Sequence, residues 1–179
     1  MTAAAASVSV NRAPVLTLWA AVVARRLGFA WPEALTLGRA VAGLNAYSKG
    51  VSLGIFKPTP EAVRKRRKLA RAGTRLRVAL LGRMVPVART RLGLLAAAKG
   101  RSIAPASVER YLHAKFGKNY GAVRTAMADL ARSYPPRTLA GAAYRLYTRF
   151  RPDVPSGAGG WGARGRLSLA RIRALKRKA

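Results

Sequence analysis

Cysteine is missing from this chain: none of its 179 residues is one. That excludes disulfides and any zinc site built on thiolates. Acidic residues are nearly as scarce. The five are Glu33, Glu61, Glu109, Asp129 and Asp153, spread along the sequence, so a two-carboxylate acid–base site would need tertiary structure to assemble it. The single histidine, His113, follows Tyr111 and Leu112 in an apolar helical pattern and reads as a surface or half-buried residue, not a general base. One histidine without cysteine leaves no usual zinc ligand set. No G-x-S-x-G or H-E-x-x-H occurs, and no Gly-Lys precedes Ser or Thr as a P-loop requires. The apolar stretch from Ala13 to Ala24 is shorter than the roughly 20 residues a bilayer span needs. These absences predict a protein that is not an enzyme, with no cofactor and no membrane partner.

What is present is positive charge. Lys and Arg number 35, the formal net charge is +30, and half the residues are hydrophobic. That apolar content can build a core, so a folded body carries the charge rather than a disordered tail. Such a surplus repels itself in the compact state, and a polyanion relieves the repulsion. Phosphates neutralised by Lys and Arg release counterions, which drives binding at modest salt. A solvated basic surface kept for solubility explains a smaller excess, but not five acids at an isoelectric point near 12.0.

Periodicity predicts an α+β fold, mostly helical. Residues 1–10 read as a flexible arm, with a short extended stretch at Ser7–Val10. Over 11–56 a helical pair follows. Pro14 opens the first helix, Val15, Leu18, Trp19, Val22 and Val23 form its apolar face, and Gly28 stops it. The same stretch also fits a signal-peptide core with Val22-Val23-Ala24 as its cleavage site. It runs straight into Arg25-Arg26-Leu27-Gly28, however, which has the form of a helix end. Pro32 and Glu33 open the second helix, with Leu37, Val41 and Leu44 as its stripe. Helix, short turn, helix is the outline of a helix-turn-helix, with Arg39, Asn45 and Lys49 as the groove-facing residues; an ordinary αα-hairpin has the same outline. Residues 57–74 read as a basic linker, or a short helix starting near Pro60. The remainder, 75–179, holds a two- or three-stranded antiparallel sheet over about 75–103, with Pro86 favouring an edge. After it comes a helix from Pro105 ended by Gly117, then one capped by Asn119, with Val123, Met127, Leu130 and Ala131 aligned and Tyr134-Pro135-Pro136 as its break. A third runs from about Pro136 to Phe150 with Leu139, Ala143, Leu146, Tyr147 and Phe150 as its stripe, followed by a Gly/Pro loop over 151–166 and a short basic helix capped by Ser168.

The candidate binding residues are those of the basic segments. Arg64, Lys65, Arg66, Arg67, Lys68 and Arg71 make the densest run. Arg75 and Arg77, with Arg83, Arg89 and Arg91, are expected along one side of the sheet. Arg164 and Arg166 flank the glycine loop, and Arg171, Arg173, Lys176, Arg177 and Lys178 make the tail. Arginine suits this task because its planar fork pairs bidentately with phosphate. Trp161, set among glycines, reads as a hydrophobic plug or as a stacking platform for a base.

The segments NRAPVLTLWA (11–20), LTLGRAVAGLNAYSKG (35–50), SVERYLHAKFG (107–117) and YRLYTRFRPDVPSGAGGWGARG (144–165) resemble a conserved bacterial protein family of unassigned function. The likeness spans most of the chain and implies a bacterial, intracellular, single-domain protein. It implies no catalytic residue. The expectation is a DNA-binding protein of the nucleoid-associated or helix-turn-helix kind, cytoplasmic, gripping the phosphate backbone. A ribosome-associated or structural RNA-binding protein is the alternative, and a protein–protein adaptor with incidental charge a further one.

Overall fold

A computed structural model describes residues 6–52, 60–63, 76–155 and 163–178, with the backbone alone over 49–52. The chain is α+β with a small antiparallel sheet, as its periodicity predicts. The elements used below are β1 (Ser7–Asn11), α1 (Arg12–Arg26), α2 (Trp31–Ser52), β2 (Leu76–Leu80), β3 (Arg83–Thr90), β4 (Gly93–Ala98), β5 (Arg101–Ser102), α3 (Pro105–Phe116), α4 (Tyr120–Arg132), α5 (Pro136–Phe150), β6 (Arg164–Ser168) and α6 (Leu169–Ala174).

Helix α1 is the axis of the molecule. Every residue from Pro14 to Ala24 is buried, so the helix is enclosed all round and not along the single stripe read from the sequence. It packs on α2, α3, α4, α5 and β1. Trp19 donates its indole N–H to the Ala143 carbonyl at 2.8 Å and meets Phe150 edge-on at 5.3 Å. Gly38 lets α2 cross closely: a Cβ there would fall 2.9 Å from the Ala21 nitrogen and nearer still to the Thr17 carbonyl oxygen.

The extended stretch expected at Ser7–Val10 is strand β1, and it is anchored in a sheet where a flexible arm was expected; residues 1–5 lie outside the described residues. Ser7–Asn11 pairs antiparallel with β6, in register from Ser7↔Ser168 to Asn11↔Arg164. The cause is the alternation Ser-Val-Ser-Val, which buries Val8 and Val10 and leaves Ser7 and Ser9 outside. β6 likewise corrects the end of the predicted 151–166 loop. Gly165 lies in that strand, because a side chain there would strike the Asp153 carbonyl at 2.5 Å.

The second sheet has the order β2-β3-β4-β5, one strand more than the sequence predicts. Leu81 and Gly82 both take positive φ, as do Lys99 and Gly100, the requirement of tight two-residue hairpins. β3 pairs with β4 only from Val87 to Thr90, while Pro86 faces Arg77 on β2. Pro86 thus sits just past the end of one ladder, where its missing N–H costs nothing. The free edge of β4 is closed by α2: the Leu94 N–H donates to Glu33 Oε1 at 2.8 Å and the Ala96 N–H to Thr36 Oγ1 at 2.9 Å. Glu33 Oε2 also accepts from the Ala30 N–H at 2.8 Å, capping its own helix.

In α3 Pro105 takes the first turn after Ala104. Asn119, expected to cap α4, makes no side-chain cap bond and belongs to a 3₁₀ turn over Gly117–Asn119. Ser168 does cap α6, its Oγ accepting from the Arg171 N–H at 3.2 Å.

Candidate nucleic-acid interface

The C-terminal cations are held by defined contacts. β6 turns Arg164 and Arg166 outward, opposite Asn11 and Ser9 of β1. Asp153 bridges this ribbon to α6. It exchanges backbone hydrogen bonds with Arg166 at 3.2 and 3.0 Å, and its carboxylate pairs with Arg171 at 2.9 Å. The Arg171 hydrogen bond holds the Asp153 carboxyl below the usual carboxylate range. In α6, Leu169 and Ile172 are buried, while Arg171 and Arg173, then Lys176, Arg177 and Lys178 beyond its end, are exposed.

The tail beyond α6 lies on the end of α4. The Tyr134 hydroxyl donates to the Leu175 carbonyl at 3.2 Å, and the Arg177 N–H donates to Ser133 Oγ at 3.0 Å. The end of α1 meets the same spot, for Arg26 Nη2 donates to the Tyr134 carbonyl at 3.2 Å. A basic corner results, made of Arg25, Arg26, Arg132, Lys176, Arg177 and Lys178. Asp129 pairs with Arg132 there. Cations at helix C-termini are favoured by the helix dipole, which offers each end about half a negative charge. The ends of α1, α4 and α6 therefore answer about one and a half charges, and Asp129 one more, against six cations. The dipole explains why an arginine sits there, but not why six basic residues do.

Arg25 and Arg26 read in the sequence only as a helix end, and no motif in the sequence singles out Arg132. Nothing local in the sequence says that the ends of α1 and α4 meet, or that the tail joins them.

The groove-facing reading is corrected at Asn45. Asn45 is 8% exposed. It donates to the Val41 carbonyl at 2.9 Å and accepts from Arg83 Nη2 at 3.2 Å, so it fastens α2 to the sheet. Arg39 is exposed but lies over the Tyr111 ring at 4.5 Å. α2 packs on α1, β3, β4 and α3, the setting of a core hairpin and not of a projecting helix. The side chain of Lys49 falls outside the described residues, as do Arg64, Lys65, Arg66, Arg67, Lys68, Arg71, Arg75 and Trp161. The single-sided line of sheet arginines is corrected as well. Arg77 pairs with Pro86, whereas Arg83 and Arg89 occupy the alternate positions of β3, which point to the other face.

Glu109 gathers the densest polar cluster described. Its Oε1 accepts from the Tyr120 hydroxyl at 2.9 Å and its Oε2 from the Trp31 indole at 3.0 Å. His113 Nε2 stands 3.6 Å from Oε1. Burial first, then the bond to Glu109, pushes the Tyr120 phenol up to about 12. Both carboxylate oxygens are thus committed to donors that keep their protons at neutral pH. The cluster braces α2, α3 and α4 against one another.

No family model, curated protein or solved structure matches the chain. The resemblance read from its segments gains no support from them. Among the described residues no helix is long and apolar enough to cross a membrane.

Proposed function

We propose that this protein binds nucleic acid, with duplex DNA as its first partner, through phosphate contacts made by the basic corner and the adjoining ribbon arginines. The role is binding without catalysis and with little base preference, in the manner of a nucleoid-associated protein. The observation that carries the reading is the docking of Lys176–Lys178 beside Arg25, Arg26 and Arg132, where carboxylates are nearly absent. Base readout by α2 forms no part of it, because Asn45 is buried in the hairpin.

Fluorescence anisotropy of a labelled duplex across a salt series tests this reading. Log affinity falls against log salt with a slope of about −0.9 per phosphate neutralised. Changing Arg25, Arg132, Lys176 and Arg177 together to Gln flattens the slope by about 0.9 for each residue in contact. A structured RNA run in parallel separates the two polyanions. Salt-independent binding, or none to either nucleic acid in dilute buffer, overturns the proposal.

A further inference from the structure

We propose that the cleft between the end of α1 and α4 is a phosphate-ester site sized for one nucleotide. This deepens the nucleic-acid reading and rests on it only for the source of the ligand, a strand's own phosphate or a free nucleotide.

The cleft has a volume of about 430 Å³, within the range of roughly 300–1,000 Å³ typical of small-molecule sites. Arg25, Arg26, Arg124, Arg132 and Trp31 line it, with Val22 and Ala128 among its apolar neighbours. None of its lining residues is acidic, although Asp129 pairs with Arg132 beside it. Four guanidinium groups on one concave surface are the chemistry of a phosphate ester, and the apolar walls leave room for what the ester carries.

Two arginines are prepared for such a ligand. Arg124 lies over the Trp31 ring, 4.0 Å from its centroid. Stacking fixes the plane of a guanidinium, and with one donor of Arg124 engaged by the Tyr120 hydroxyl the rest of its fork stays open to oxygen. The ring is itself held, since Trp31 donates to Glu109 at 3.0 Å. Glu109 in turn is held by Tyr120 at 2.9 Å. The cluster around Glu109 therefore acts as a positioning device for Arg124. Arg26 is only partly committed: Nη2 reaches the Tyr134 carbonyl at 3.2 Å, while Nε is buried without an acceptor among the described residues. Buried donors without acceptors are rare in native proteins, and an anion in the cleft brings acceptors to this guanidinium.

Isothermal titration of the full chain with adenosine 5′-monophosphate, at fixed ionic strength and with adenosine as control, tests the site. The expected result is saturable uptake of one nucleotide per chain and none of adenosine. Arg26→Gln with Arg124→Gln weakens it by about tenfold or more, the loss expected for charged hydrogen bonds. Arg145→Gln with Arg149→Gln removes the same charge from exposed sites on α5 and leaves affinity within about twofold. Arg124→Lys keeps charge but loses the planar fork, and weakens binding several-fold. Equal weakening by both double variants, or wild-type affinity in Arg124→Lys, overturns the site. Duplex binding without nucleotide uptake removes the cleft proposal alone. Nucleotide uptake without binding to duplex or RNA removes the nucleic-acid reading and leaves the cleft a site for free nucleotides.

Discussion

Gly38→Ala tests the closest approach in the core. A Cβ at Gly38 would lie 2.9 Å from the Ala21 nitrogen and closer to the Thr17 carbonyl oxygen, where real Cβ atoms stay beyond 3.0 Å. Both obstacles are backbone atoms of α1, so no rotamer change removes them. α2 must back away from α1 by the better part of an ångström. A radial gap of about 0.5–1 Å forfeits roughly a quarter to a half of each dispersion contact it opens. Overpacking of this kind costs about 1–3 kcal/mol, occasionally more, and the rigidity of the obstacles puts this case near the upper value. Helix propensity returns about 1 kcal/mol, the difference between Ala and Gly in a helix interior. The net loss is about 2 kcal/mol, or a fall in melting temperature of about 4–8 °C for a chain of this size. Gly43→Ala is the internal control, since nothing lies within 4 Å of a Cβ there; it keeps the propensity gain of up to about 1 kcal/mol. Denaturant unfolding followed by circular dichroism reads both. A Gly38→Ala protein as stable as Gly43→Ala would refute the close crossing.

Lys99→Asn should raise stability by about 0.5–1 kcal/mol in the same assay, because Lys99 holds φ 51 in the β4–β5 turn and Asn tolerates that region better. Glu33→Ala should cost about 1–2 kcal/mol, by stranding the part-buried Leu94 N–H and removing the solvent-exposed cap on the Ala30 N–H, and should speed amide exchange at Leu94. The folded chain holds the Tyr120 proton more tightly than the unfolded one, so its contribution is complete below about pH 10 and lost as pH rises toward about 12. Urea midpoints over that interval should fall less steeply in Tyr120→Phe than in the parent. Sodium chloride raised from about 10 mM to about 150 mM shortens the Debye length from about 30 to about 8 Å, and should raise the melting temperature of the free protein; an unchanged or lower value would show that self-repulsion is not a real cost.

Where periodicity is local, the sequence is legible. The stripe Leu139, Ala143, Leu146, Tyr147 and Phe150 is buried as read, and so are Val123, Met127, Leu130 and Ala131. α1 was legible as a helix but not as a central one, because its small residues Ala20, Ala21 and Ala24 are as buried as its large ones, and alanine announces no face. The β1–β6 pair joins residues more than 150 positions apart, and a five-residue strand carries too little pattern to name a partner. The site suffers the same limit. Arg26 looks like helix punctuation, and no motif marks Arg132, until Tyr134 joins them to the tail. Asn45 looks like a groove-facing amide until Arg83 is seen to hold it.

The functional argument turns on where the acids go. With five carboxylates the chain had the means to neutralise five cations, yet it spends two of them elsewhere. Glu33 accepts from two backbone N–H groups to close a sheet edge and cap a helix. Glu109 accepts from a tryptophan and a tyrosine to brace three helices. Asp129 and Asp153 pair with Arg132 and Arg171, and even with a cation granted to Glu61 the carboxylates answer three of the 35. Glu33 and Glu109 are thus placed where architecture needs an acceptor, and the basic corner is left with Asp129 against its six cations. On the reading proposed above, phosphate oxygens arrayed along a strand neutralise the cations of the corner that Asp129 leaves unanswered, supplying charge and geometry together.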